Sequence, residues 1–278
     1  MKSKFRQIAL LGKYHLNSGS SANPSSRKTL ESIAQFLHTL GCEVILEHDT
    51  AAGSGLSGYT VMTIEEIGKS CDLAIVLGGD GMVHLGVNLV TDAKLPLGVI
   101  ACGTGNDSAR ALGLPINDVQ WATQIAADHL SIPRHVDVGA VENDRGVFYF
   151  FGSISAGFDA LVNARANKWK YPKGPSRYRL AMFRELAAFK KLRYKLIVDG
   201  EYHEVDAMLC AVTNVNCYGG GMMVTPEAKP DDGELDLFIV HKISRPELIK
   251  IFPSVYTGGH VTHPAVEIVR VKSVELDS

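Results

Sequence analysis

LAIVLGGDGMVHLGVNLV, residues 73–90, sets a short unbroken apolar run against Gly-Gly-Asp-Gly and then a pattern with helical spacing. An apolar run without alternation is the mark of a strand covered on both faces. A second stretch, PLGVIACGTGNDSARALGLP (96–115), has the same layout. A phosphate can approach a backbone closely only where no Cβ intervenes, and glycine permits that approach. A helix that follows at once adds free N–H groups and the positive end of its dipole. Gly78, Gly79 and Gly81 fit this role, and so do Gly103, Thr104 and Gly105. Asp80 does not, because a carboxylate repels phosphate. It makes sense as a holder of Mg²⁺ or as the group that orients the phosphate acceptor. Asn106 and Asp107 can coordinate or orient in the second turn. The plainer alternative stays open: Asp80 and Asn106 only cap helices, and the glycines only turn the chain. Two such turns at neighbouring strand ends weigh against it.

Outward from these turns the chain alternates strands with helices. QIALLG (7–12), EVILE (43–47) and DLAIVL (72–77) read as buried strands. TLESIAQFLHTLG reads as a helix with Leu30, Ile33, Phe36, Leu37 and Leu40 on one face and Gly41 as its stop. TIEEIG opens with Thr63 and carries Glu66 three residues on, a capping box. The pattern predicts a doubly wound α/β nucleotide-binding domain over residues 1–132, with ligands at the carboxyl ends of its strands. Near Pro133 the pattern changes. HVDVGAVE, GVFYFFGSISAG, YKLIVDGEYHEVDAMLCAVTN, LDLFIVHK and VEIVRVKSVELD are strand-like, with turns at Asp199-Gly200 and Asp232-Gly233. Only two helical stretches, 177–191 and 245–252, are expected to interrupt a β-rich, sandwich-like domain over residues 133–278.

Bulk properties narrow the function. The chain has 278 residues, 46% apolar and 21% charged, with a formal net charge of −2, so the whole chain carries no nucleic-acid signature. No apolar run approaches the roughly 20 residues of a membrane span. Five cysteines without a CxxC pair read as thiols in a reducing compartment, hence a cytoplasmic protein. Absence of GxxxxGK[ST] excludes a P-loop NTPase, and absence of GxGxxG after the first strand argues against a Rossmann dehydrogenase. His84 reads as an ordinary helix position, and the loop pair His260 and His263 as no metal site.

GGDG followed by GTGNDSARALGLP resembles the catalytic domain of diacylglycerol kinases and related bacterial lipid kinases. SAGFDA (155–160), GPSRYRLAMFREL (174–186) and YGGGMMVTPEAKPDDGELDLFIV (218–240) extend the likeness from about Gly78 onward. The first 80 residues, with FRQIALLGKY and TIEEIGKSCDLAIVLGGDG, look more like a bacterial NAD kinase of the same superfamily. The resemblance implies an ATP- and Mg²⁺-dependent kinase acting on a lipid hydroxyl, with ATP at the cleft between the domains. Gly78, Gly79, Asp80, Gly81, Met82, Gly103, Thr104 and Asn106 would bind nucleotide, and Asp80 and Asp107 would be catalytic. It also implies a structural Mg²⁺ held by the Asp232 side chain and the carbonyls of Lys229 and Glu234.

Three departures accompany the likeness. Met82 stands where both families usually have Thr, replacing a hydroxyl by a thioether. Ser108 stands where the lipid kinases usually carry an aromatic, a change expected to alter packing only. The sequence reaches Ser278 before the late Asp-Gly-Glu turn whose Glu is the family's proposed general base. The β-rich domain is therefore expected to lack its last strands, and proton removal from the acceptor to lose that base; Glu201 is read as a hairpin residue and no substitute. The stretch from Lys168 to Lys195 has ten Lys or Arg against the single acid Glu185, with Trp169, Tyr171, Tyr178 and Tyr194 interleaved. It is read as a peripheral contact with anionic lipid at the inner membrane face. The other readings are a solvated helix face or a phosphate-steering patch. Two alternatives to the lipid kinase are carried: an NAD kinase, and a non-catalytic nucleotide- or membrane-binding module. A homodimer is left open.

Overall fold

The computed structural model describes residues 5–12, 24–129, 133–169, 171, 180–181, 184–185 and 192–277. The chain forms two compact units, Met1–Phe150 and Phe151–Ser278.

The first unit is built on five parallel strands: β1 (Gln7–Gly12), β2 (Glu43–Glu47), β3 (Thr60–Met62), β4 (Leu73–Gly78) and β5 (Leu97–Ala101). Their spatial order is β3-β2-β1-β4-β5. Chain order reverses between β1 and β4, the switch point at which doubly wound sheets open a crevice beyond the strands' carboxyl ends. The apolar runs are buried as expected: Ile8, Ala9, Leu11, Ile45, Leu46 and Ala74 are within 0% exposure. Helix α1 (Pro24–Thr39) packs Leu30, Ile33 and Leu37 into this core, each burial contributing roughly 1.5–3 kcal/mol. Gly41 ends the helix segment at φ +81°. Helix α2 (His48–Ser54), which the sequence pattern did not announce, is capped by Glu47, whose carboxylate accepts from Asp49 and Thr50 N–H at 2.8 Å each. Helix α3 (Ile64–Ser70) has the expected capping box of Thr63 and Glu66. Helices α4 (Asp80–Ala93), α5 (Asp107–Leu112) and α6 (Val119–His129) follow.

The hairpin of β6 (Gly139–Asn143) and β7 (Gly146–Phe150), read from sequence as part of the β-rich segment, docks on α4. The Asn88 amide donates to Tyr149 C=O and accepts from Tyr149 N–H, both at 2.8 Å.

The second unit is an antiparallel sheet of β8 (Ser153–Gly157), β9 (Leu192–Val198), β10 (Glu201–Thr213), β11 (Leu235–His241), β12 (Val266–Val271) and β13 (Val274–Asp277). The path is β12-β11-β10-β9-β13, with β8 also on β10. Asp199 and Gly200, both at positive φ, make the two-residue turn between β9 and β10, so Glu201 is a hairpin residue as read. Helix α8 (Arg245–Ile251) forms within the expected 245–252 stretch. A further helix, α7 (Phe158–Lys168), corrects the expectation of only two. Most of the basic stretch from Lys168 to Lys195 lies outside the described residues. Of its members, Glu185 is buried and paired with Arg165.

Candidate nucleotide and acceptor site

The two glycine turns leave β4 and β5 side by side. Ladder hydrogen bonding continues one step beyond the strands, where Cys102 N–H donates to Gly78 C=O at 3.0 Å. The turns then touch backbone to backbone. A Cβ on Gly103 would stand 2.6 Å from Gly79 N, and one on Gly79 would stand 3.1 Å from Gly103 Cα. Only glycine allows this contact.

Asn106 locks the second turn. Its amide donates to Gly103 C=O at 2.9 Å and accepts from Gly103 N–H at 2.8 Å. The residue is 2% exposed and sits at φ +58°, a conformation that asparagine tolerates better than most. Its role here is to shape the turn.

Asp80 ties the first turn to the second. Its Oδ1 accepts from Ser108 N–H at 2.8 Å and from Ser108 Oγ–H at 3.0 Å. The carboxylate therefore caps α5 from another element, so part of the plainer capping alternative holds. Position 108 was expected to affect packing only. Instead the Ser108 hydroxyl fixes the aspartate, because the small side chain leaves room for the carboxylate at the helix N-terminus. Nothing in either motif alone signals this contact; it needs the register of two strands.

The second oxygen of Asp80 faces elsewhere. A Cβ placed on Gly105 would lie 2.6 Å from Asp80 Oδ2 and 3.7 Å from Asp107 Oδ2. Two carboxylates thus converge on the residue that has no side chain. Arg110, which the sequence reading also passed over, holds the far side: its guanidinium donates to Gly105 C=O and lies 3.3 Å from Asp107 Oδ1.

Met82 is buried, with Cγ where a Cβ on Gly78 would clash at 2.5 Å. It packs under the turn. Gly81 and Thr104 are exposed, and a Cβ on Gly81 would meet nothing within 4 Å. The N-terminus of α4 has no side-chain cap among the described residues. His84 lies on exposed α4 surface, edge-on to Phe148.

The second acidic turn is different. Asp232 Oδ1 accepts from Glu234 N–H at 3.2 Å, while Arg270 lies 3.6 Å from Asp232 Oδ2 and 3.5 Å from Glu234 Oε2. Burial pushes the neighbouring Asp236 carboxyl up, with Arg270 opposing and Asp232, Glu234 and Glu227 adding to the rise. Among the described residues, no group of three or more His, Cys, Asp or Glu side chains is placed to hold a metal, and no helix is long and apolar enough to cross a membrane.

Comparison with known proteins agrees with this fold. The diacylglycerol kinase catalytic domain model matches residues 15–141, reaching well ahead of Gly78. The YegS C-terminal NAD kinase beta sandwich-like domain model matches residues 152–278. A diacylglycerol kinase of Mycobacterium tuberculosis is 37% identical over 213 residues, 76% of this chain and 68% of that protein. An NAD kinase of Paracidovorax citrulli is 48% identical over only 87 residues, 31% of this chain and 29% of that one. The crystal structure of a diacylglycerol kinase from Bacillus anthracis shares the fold, with a TM-score of 0.67 at 24% identity over 99% of this chain and 87% of the other. The parallel sheet with paired glycine turns, the antiparallel unit after it and the extent of these matches agree: the chain belongs to the diacylglycerol kinase family.

Proposed function

We propose that the chain is an ATP-dependent lipid kinase that phosphorylates the hydroxyl of diacylglycerol or a related lipid. The observation that carries this reading is the convergence of Asp80 and Asp107 on Gly105, beside an uncapped helix N-terminus and an unobstructed Gly81. The first unit is the nucleotide-binding domain. Free N–H groups at the start of α4 and the exposed Thr104 turn receive the phosphates, and the helix dipole favours their charge. Met82 supplies packing, not a phosphate contact.

Magnesium fits the first turn on the chemistry of its donors. Mg²⁺ takes oxygen ligands and is commonly held by one or two carboxylates plus substrate phosphates. Asp107 Oδ2, together with the substrate phosphates, would hold it. When bound it would neutralise charge on the transferring phosphoryl group. The turn at Lys229, Asp232 and Glu234 does not fit as well: there Arg270 supplies the positive charge that the resemblance assigns to a structural ion, and no step depends on it. In transfer, the lipid oxygen bonds to the terminal phosphorus, the bond to the bridging oxygen of ATP breaks so that ADP leaves, and the hydroxyl proton passes to Asp80 Oδ2 and on to water. Asp80, held by Ser108 through Oδ1, orients that hydroxyl with Oδ2.

A second reading, NAD phosphorylation, is favoured by the 48% identity to an NAD kinase over a short segment. The test offers labelled ATP, Mg²⁺, diacylglycerol in mixed micelles and NAD to the purified chain together. Label is expected in phosphatidate. Label in NADP alone would replace the first reading by the second, and label in neither would overturn both. A homodimer and a lipid-surface contact through the basic stretch from Lys168 to Lys195 remain part of the proposal, checked by sedimentation alone and with anionic vesicles.

A further inference from the structure

Helix α8 and the 3₁₀ turn after it, Phe252–Thr257, roof an apolar cavity of about 250 Å³ on the sheet of the second unit. A second 3₁₀ turn, Gly259–Thr262, reaches the cavity wall through His260, its one buried residue. Gly258, at φ +74°, is the joint between the two turns. His260 is 1% exposed and lies edge-on to Phe238 of β11, with ring centroids 5.7 Å apart. Its Nε2 is 2.9 Å from Val224 C=O, which can only accept, so Nε2 carries the proton and Nδ1 is bare. Nδ1 is buried and has no partner. Among the described residues, the turn's other hydrogen bonds stay within positions 258–263. One imidazole therefore carries the turn's polar tie to the rest of the unit.

No Lys, Arg, Asp or Glu lines the space. Tyr218 is the other titratable group on its wall, and a phenol carries no charge in acid. Glu247 and Lys250 of α8, Tyr256 of the first turn, His241 of β11, Glu267 of β12 and Glu227 beyond Val224 all lie outside the lining. An imidazolium here would be a buried charge without a counter-ion, and its new Nδ1–H a donor without an acceptor. Burial accordingly pushes the His260 pKa down, with the Val224 hydrogen bond opposing. We propose that His260 is an acid-operated latch: protonation expels the ring, frees the turn Gly259–Thr262 and opens the cavity to water. By linkage, a histidine whose folded pKa lies below its unfolded value holds the turn fully above about pH 6.5 and loses that hold as pH falls toward the folded value. His263 is differently placed. Its Nδ1 accepts from Ala265 N–H at 3.1 Å and its Nε2 lies 3.3 Å from Glu247, so a proton there trades one bond for charge beside a carboxylate.

The test is hydrogen exchange of the whole chain between pH 7.5 and 5. Peptides covering 252–263 are followed against peptides from β1 and β4, which correct for the intrinsic pH dependence of exchange. Relative protection of 252–263 should fall by up to roughly tenfold per pH unit below about pH 6, one proton being taken up per opening. His260→Gln keeps a donor near the Nε2 position and takes no proton, so its relative protection should not change with pH. His263→Gln should leave the parent's slope in place. An equal slope in His260→Gln, or a flat parent, would overturn the latch. Imidazole ¹⁵N spectra of the parent give a second reading that needs no variant to fold. The neutral Nε2–H form of His260 should persist until the turn opens, and the two should be lost together. A ring that titrates in place while 252–263 stays protected would also overturn the proposal. Phosphoryl transfer is not the readout, so the latch and the kinase reading stand or fall separately.

Discussion

Two acidic turns in this chain have similar letters and opposite surroundings. At the first, Asp80 and Asp107 converge on the empty side of Gly105, and the nearby guanidinium of Arg110 binds the outer oxygen of Asp107. At the second, Asp232 and Glu234 both face Arg270 within 3.6 Å. One turn gathers two carboxylates around a glycine. The other neutralises its carboxylates. Sequence motifs record only the carboxylates. The cations that decide what those carboxylates can do come from elsewhere, Arg270 from a strand that begins more than thirty residues later.

The widest separation between the turns is expected from isosteric removal of charge. Asp80→Asn keeps an acceptor for Ser108 and so should fold normally, but it removes the carboxylate from the acceptor site. Phosphoryl transfer should fall roughly 10³-fold, the scale seen when an electrostatic group of a transition state is lost. Asp232→Asn should change kcat by less than about twofold, as expected of an exposed ion pair. Steady-state kinetics on both variants, with thermal melts to check folding, make the comparison. Equal losses would break it, and would place a functional cation at the second turn after all.

A smaller effect probes how the first turn is held. Ser108→Ala removes the hydroxyl donor to Asp80 Oδ1 and leaves the backbone N–H in place. One neutral-to-charged hydrogen bond lost from a partly redundant pair predicts a fall in kcat of roughly three- to tenfold. KM for ATP should hold, since Ser108 bears on the acceptor group and not on the phosphates. A rise in KM with kcat unchanged would show that the turn's shape, rather than the aspartate's orientation, depends on Ser108.

Much of the fold was legible because parallel strands buried on both faces have nothing to alternate with. β1 and β2 fall on the residues expected, and α1 is set by its one apolar face. The capping box of α3 and the Asp199-Gly200 turn were equally plain, since each is local chemistry over four residues or fewer. β3 was not legible: it has three residues, and Val61 in its middle is 48% exposed, so it shows no burial pattern. α2 was hidden because HDTAAGS is polar and contains glycine; a buried glutamate on the preceding strand starts it. The candidate site divides the same way. Glycine turns and aspartates could be read from the chain. The Ser108 bond, the Arg110 clamp and the Arg270 pair could not, because each joins groups through a backbone path or strand pairing that no single motif contains.

The smallest expected effect is at the second turn, and its sign tests the description of that turn most directly. Arg270→Met keeps an aliphatic stem over the sheet and removes the guanidinium. Burial already holds the Asp236 carboxyl above its ordinary range, and Arg270 is the cation named as opposing that rise. Its removal should therefore move the Asp236 titration further up, followed by carboxyl ¹³C shifts. A carboxyl whose folded pKa is raised favours folding below its unfolded pKa and loses that contribution as pH climbs through the folded value. Arg270→Met should accordingly be less stable than the parent near pH 7, by about 1 kcal/mol or less, because Arg270 is 44% exposed and its pairs are screened by solvent. At acid pH, once the Asp236 carboxyl has taken up its proton, the gap should close. A deficit of the same size at both pH values would mean that the stem's packing, not the charge, is what Arg270 contributes.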